Sequence, residues 1–199
     1  MAVISTHFLT LLPTGWSFGG VLAHEVAQHL SSSEKTVLGV ILIDSPFPVD
    51  HEPLPSRVID YIVNLGTGHR SKNPNGSNAT SCREAPSIIA SQFRYHAHLL
   101  SEYKPGIMTP TTMTGAKYVM LHCQDNFDTL SHCGIEYPQL SDAEARWNST
   151  LRWSKLLGQQ ATILTIPGNH FEPFTPSRVV ITTEQLQKAY YHILSGKKD

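Results

Sequence analysis

Short apolar runs alternate with longer stretches of helical spacing along the chain. Phe8 to Leu12 is an apolar run that stops at Pro13. Beyond it, Val21, Leu22, Val26 and Leu30 recur at helical intervals, with Ala23 and Ala27 between them. That spacing predicts a helix from about Phe18 to Ser31 with the four larger residues buried and the alanines allowing close packing. Val37 to Ile43 is continuously apolar and rich in β-branched residues, the pattern of a strand buried on both faces in a parallel sheet. Lys117 to His122 and Ala161 to Ile166 predict two more strands. Helical spacing recurs over Pro55 to Leu65, Pro86 to Tyr103, Ala145 to Leu157 and Glu184 to Leu194. In the third of these, Trp147, Leu151 and Trp153 are expected to face inward. Strands alternating with helices predict an α/β domain, with a mostly parallel sheet and helices on both faces. Residues 1–199 read as one such domain, and about 52–116 as a mainly helical insertion that could act as a lid. Within it, Gly66 to Ser81 is polar and rich in Gly, Asn and Ser.

Composition narrows the class. The net charge of −1 and the absence of long runs of one sign argue against a nucleic-acid binder or a polybasic membrane binder. No stretch approaches 18 uninterrupted apolar residues, so no membrane span is expected. Cys82, Cys123 and Cys133 are an odd count without a CxxC pair, which suggests free thiols in a reducing, cytoplasmic setting. The sequons at Asn75, Asn78 and Asn148 matter only for a secreted chain. Met1 to Leu12 is apolar but lacks a basic start and leads straight into a glycine turn, so it reads as a strand rather than a signal peptide.

The chemistry centres on Gly15-Trp16-Ser17-Phe18-Gly19, a Gly-x-Ser-x-Gly turn between a predicted strand and a predicted helix. Such a turn presents a serine Oγ at a strand tip. Gly15 and Gly19 are expected to let strand and helix approach, and the Phe18 N–H, at the helix N-terminus, suits an oxyanion donor. Asp44 follows the second strand, Asp125 and Asp128 follow the third, and His170 follows the fourth. Ser17, an acid and His170 then fall in the chain order of an α/β-hydrolase triad. In that arrangement Ser17 is the nucleophile, His170 the general acid/base and the carboxylate its orienter. Spacing leaves Asp44 and Asp125 both open as the acid. His24-Glu25 with His29 fails the zinc-protease pattern, because the histidines are five apart rather than four, and reads as a polar helix face. His96, His98 and Tyr103 lack a fourth metal ligand.

The stretches GWSFGGVLAHEVAQHL, LIDSPFPV, LPSRV, WSKLLG and PGNHF together resemble the thioesterase domains that end fungal polyketide synthases. The resemblance covers most of the chain from Gly15 onward. It implies an α/β-hydrolase fold with Ser17 as nucleophile, His170 as base and Asp44, rather than Asp125, as the triad acid. It also implies release of an acyl chain from the phosphopantetheine thiol of an acyl carrier protein or polyketide synthase, by hydrolysis or cyclisation. No resident cofactor or metal is implied, since the phosphopantetheine arrives with the substrate. The resembled domains carry several strands and a helix before the serine, and one of those supplies a second oxyanion N–H. With fourteen residues before Gly15, the expectation is the second half of that sheet, with the elbow strand at an edge open to self-association. The alternatives are a weakly active or inactive thioesterase-like binding partner, and a general carboxylesterase.

Overall fold

The computed structural model describes residues 10–33, 35–66, 84–106 and 115–195. Most of the run before Leu12, the polar stretch within the insertion, Asn75, Asn78 and Cys82 lie outside the described residues. The elements in order are β1 (Thr10–Leu11), β2 (Thr14–Trp16), α1 (Phe18–Ser32), β3 (Thr36–Val37) and β4 (Gly39–Ile43). The insertion contributes α2 (Ser56–Gly66) and α3 (Glu84–Glu102). Next come β5 (Lys117–Cys123), α4 (Thr129–Cys133), α5 (Pro138–Ser141), α6 (Ala143–Leu157), β6 (Thr162–Ile166) and α7 (Val179–Leu194). Two short helices, α4 and α5, are additions to the sequence-based expectation. An Asp128 side-chain cap starts α4 and a left-handed Gly134 ends it.

The main sheet has the order β2-β4-β5-β6, parallel throughout, and β1 pairs in parallel with β3 beside it. Register is what positions the site. Trp16 pairs with Ile43, Ile43 with Leu121, and Cys123 with Ile166. The loops that begin at Ser17, Asp44, Gln124 and Pro167 therefore leave the sheet at one edge, where open α/β sheets hold their chemistry. All five residues of β4 are buried, as its unbroken apolar run predicts. Val40 and Leu42 pack with Val21, Ala27, Tyr118 and Trp153 on the face covered by α1 and α6. Ile41 and Ile43 pack with Val119, Leu121, Ala189 and Ile193 on the face covered by α7. Within the described residues β2 is the edge of the main sheet, as expected. No described helix is long and apolar enough to cross a membrane.

Two helices turn a different face to the core from the one that apolar spacing suggested. In α1, Leu22 and Val26 are about half exposed, at 50% and 48%, whereas Gly20, Val21, Ala23, His24 and Ala27 are buried. The cause is how close α1 lies to the sheet. A Cβ on Gly15 would sit 1.9 Å from the Gly19 carbonyl oxygen, and one on Gly20 would sit 1.8 Å from Ser45 Oγ. At that separation small residues fit below the helix and leucine does not. Gly19, assigned the close approach from its motif position, has open space around its would-be Cβ; Gly20 makes the contact instead. His24 is fully buried rather than on a polar face. Its ring is satisfied by Tyr118 Oη at 2.9 Å and Gln28 Nε2 at 2.6 Å. Burial lowers its pKa to about 4 against a smaller opposing effect of Glu25.

In α6, Trp153 is buried, but Trp147 and Leu151 are 40% and 43% exposed. The buried stripe is Arg146, Thr150, Trp153 and Leu157. It is a regular helical face that carries an arginine because the sheet edge beneath it holds a carboxylate.

The two glycines give a paired expectation. Gly20→Ala drives a methyl into Ser45 and should cost about 1–3 kcal/mol in denaturant unfolding. Gly19→Ala should be neutral or stabilising by up to about 1 kcal/mol, because it removes backbone entropy without a clash.

Candidate active site

Ser17 occupies the one-residue turn between β2 and α1 at φ +54° and ψ −128°, a conformation side chains rarely adopt. Its N–H donates to the Ile43 carbonyl at 2.9 Å, and its own carbonyl accepts from Gly20 N at 3.0 Å. The strain is thus held by β4 on one side and the first turn of α1 on the other. Ser17 Oγ lies 2.9 Å from His170 Nε2, and His170 Nδ1 lies 2.8 Å from Asp44 Oδ2. With Nδ1–H donating to the carboxylate, Nε2 is left to accept the serine proton.

His170 rides on the loop after β6. Gly168 turns that loop at φ +95°, and Trp16 Nε1 donates to the His170 carbonyl at 3.1 Å. Asp125 takes part differently from Asp44. Its carboxylate accepts from the Gly168 N–H at 3.1 Å, and its own N–H donates to the Gly168 carbonyl at 3.0 Å. It holds the backbone of the histidine loop and makes no bond to the imidazole. Asp128 caps α4 through the Ser131 N–H at 2.9 Å. Of the three candidate acids, the structure brings Asp44 to His170.

Asp44 itself sits at φ +44°, with its N–H donating to Leu121 O at 2.7 Å. Its second oxygen, Oδ1, accepts from the Cys123 N–H at 2.8 Å and faces Arg146 Nη2 at 3.5 Å. Arg146 is 4% exposed and also donates to the carbonyls of Cys123 at 2.6 Å and Asp125 at 2.8 Å, and to Asn126 Oδ1 at 3.0 Å. Burial alone would raise the Asp44 pKa. His170, Arg146 and the Cys123 N–H outweigh it and bring it down to about 2. Reasoning from the sequence missed Arg146, which shares a helix face with Thr150, Trp153 and Leu157, four, seven and eleven residues on.

Phe18 is the first residue of α1, so its N–H has no acceptor within the helix and directly follows Ser17. Its ring stacks on His96 of α3 at 4.9 Å. His96, His98 and Tyr103 do not converge. His98 pairs with Glu102 at the surface, and Tyr103 Oη donates to Glu25. Among the described residues no group of three or more His, Cys, Asp or Glu could hold a metal.

Ser17 and His170 open into a cavity of about 380 Å³. Leu22, Leu54, Phe93, Leu100 and Leu140 give it apolar walls, Phe93 and Leu100 coming from α3. His122 from β5, Ser149 and Thr150 from α6, and His51 from the loop between β4 and α2 add polar groups to its lining. Burial outweighs a Phe47 backbone hydrogen bond and lowers the His51 pKa to about 4.

Residues 11–61 match the family described as Thioesterase domain. The chain is 31% identical over 177 residues to orsellinic acid synthase armB of Armillaria mellea, a match covering 86% of this chain and 7% of that protein. It is 29% identical over 196 residues to an orsellinic acid synthase of Beauveria bassiana, covering 88% of this chain and 9% of that one. The chain thus spans less than a tenth of the length of these relatives. Among solved structures, the NocB thioesterase domain in covalent complex with a fluorophosphonate nocardicin G analog superposes with a TM-score of 0.55 at 18% identity. That match covers 89% of this chain and 64% of the other, and shows the shared fold.

Removing Arg146 leaves the Asp44 charge buried without its cation. Arg146→Met should cost about 3–5 kcal/mol in denaturant unfolding at neutral pH. Acid should act in two windows. Folded His24 and His51 titrate near pH 4 and their unfolded forms near 6.5, so between those values the unfolded chain binds protons that the folded one refuses. Stability should fall from pH 6.5 to 4 by up to about 3 kcal/mol for each group. The Asp44 contribution, about 2 kcal/mol, is present above pH 3.8 and lost as pH falls toward 2. Melting temperatures across this range check both, and His24→Gln should flatten the upper window.

Proposed function

This chain belongs to the thioesterase family of α/β-hydrolase fold, and from that premise we propose that it cleaves acyl thioesters carried on the phosphopantetheine arm of an acyl carrier protein. Ser17 is the nucleophile, His170 the general acid/base, Asp44 its orienter and the Phe18 N–H one oxyanion donor. The observation that supports this most is the hydrogen-bonded line Ser17–His170–Asp44 at the mouth of a mostly apolar cavity.

In this reading His170 Nε2 takes the Ser17 proton as Oγ attacks the thioester carbonyl. The developing oxyanion meets the Phe18 N–H at the start of α1, and the Asp44 carboxylate stabilises the imidazolium. Collapse breaks the C–S bond, and His170 gives its proton to the departing pantetheine sulfur. The acyl group is then an ester on Ser17. Water, or a nucleophile elsewhere on the acyl chain, gives a proton to His170 and attacks the ester. That proton returns to Ser17 Oγ as the product leaves. The helices of the insertion, α2 and α3, serve as a lid that keeps bulk water from the ester. No resident cofactor takes part, since the pantetheine comes with the substrate. A second reading, a binding protein completed by another chain, draws on β2 lying at the sheet edge.

A fluorophosphonate probe should label the purified protein at Ser17, and Ser17→Ala should abolish labelling. The same variant should lower thioester turnover by about 10⁶-fold, to background. No labelling of the folded wild-type protein would favour the binding reading. Preference for oxygen esters over matched thioesters would favour a general carboxylesterase.

A further inference from the structure

Asp44 has a second histidine on its far side. His122, next to last in β5, is nearly buried, with Nδ1 3.0 Å from Thr150 Oγ1 and 3.7 Å from Asp44 Oδ1. Its ring meets Trp147 edge-on at 5.2 Å. These contacts choose the tautomer. Thr150 has one hydroxyl proton, and Oγ1 lies 3.2 Å from the Arg146 carbonyl that can accept it. A bare Nδ1 lone pair would also face the Asp44 carboxylate. Both facts put the proton on Nδ1, and in a neutral imidazole Nε2 is then an acceptor. Burial, aided by Arg146 and opposed by Asp44, lowers the His122 pKa, which keeps the ring neutral.

Among the described residues Nε2 has no hydrogen-bond partner, and no fully buried side-chain nitrogen or oxygen lacks one, so Nε2 is not sealed from solvent; His122 lines the cavity that Ser17 and His170 open into. A lone-pair acceptor held in one tautomer in a mostly apolar cavity suits a donor on the occupant. A plain hydrocarbon chain would cover Nε2 and leave it unsatisfied, at a cost.

We infer that His122 is the acceptor of a specificity subsite for a hydroxyl group on the acyl chain. The inference rests on the acyl-binding reading of the cavity, but binding alone can test it. The probes are the N-acetylcysteamine thioesters of benzoic acid and of the three monohydroxybenzoic acids, titrated calorimetrically into the Ser17→Ala protein, which cannot turn them over. At least one hydroxy thioester should bind about tenfold more tightly than the benzoyl thioester. Adding His122→Phe should erase that difference. Equal binding of all four probes, or a preference that survives His122→Phe, overturns the inference.

Should His122→Phe fail to fold, His122→Leu removes the same acceptor, and a preference that survives that change overturns the subsite. A hydroxyl preference in a protein that hydrolyses no thioester would sink the proposed catalysis and leave the subsite standing. Turnover without any preference would do the reverse.

Discussion

The structure depends on keeping one carboxylate charged where little water reaches it. Asp44 is buried at the carboxyl end of a fully buried strand, and each oxygen meets a different set of partners. One oxygen holds the His170 imidazole. The other holds the end of β5 through the Cys123 N–H and draws Arg146 in from α6. An isolated carboxylate in that position would take up a proton, and a neutral acid would be a poorer partner for an imidazolium. The arginine therefore fixes more than the charge. Its remaining donors reach the carbonyls of Cys123 and Asp125, so α6 is tied to the end of β5 and the loop after it, beside Asp44 and His170.

A second constraint acts on the other side of the site. Ser17 holds its strained conformation because β2, β4 and α1 meet within ångströms, and only glycine at positions 15 and 20 permits that approach. The same closeness pushes Leu22 off the sheet, where it becomes a wall of the cavity beside Ser17. Packing at the elbow thus shapes the space next to it. Asp125, from the loop after β5, steadies the backbone that carries His170. The two acids that spacing could not separate hold opposite ends of one arrangement, one binding the ring and the other its loop.

Much of this was legible in the chain. Unbroken apolar runs marked β4, β5 and β6, because strands buried on both faces have no polar side to display. The Gly-x-Ser-x-Gly turn marked the elbow, because few other residue sets allow that conformation. Asp44 and His170 stood out as polar residues at strand ends, and resemblance to fungal polyketide synthase thioesterases favoured Asp44, which spacing alone could not. The buried faces of α1 and α6 were not legible. Apolar spacing assumes that the largest hydrophobic residues go inside. That fails where a helix lies too close to the sheet for leucine, as at α1, or must neutralise a buried charge, as Arg146 does in α6.

By itself, then, the sequence determined the order of the longer elements, the parallel sheet and the residue types at its chemical edge. These follow from local periodicity and from turns that only certain residues can make. The tertiary structure decided which acid meets the histidine and which face of each helix is buried. Those outcomes depend on distances between segments remote in the chain, set by strand register and helix-to-sheet separation, and no local pattern encodes them.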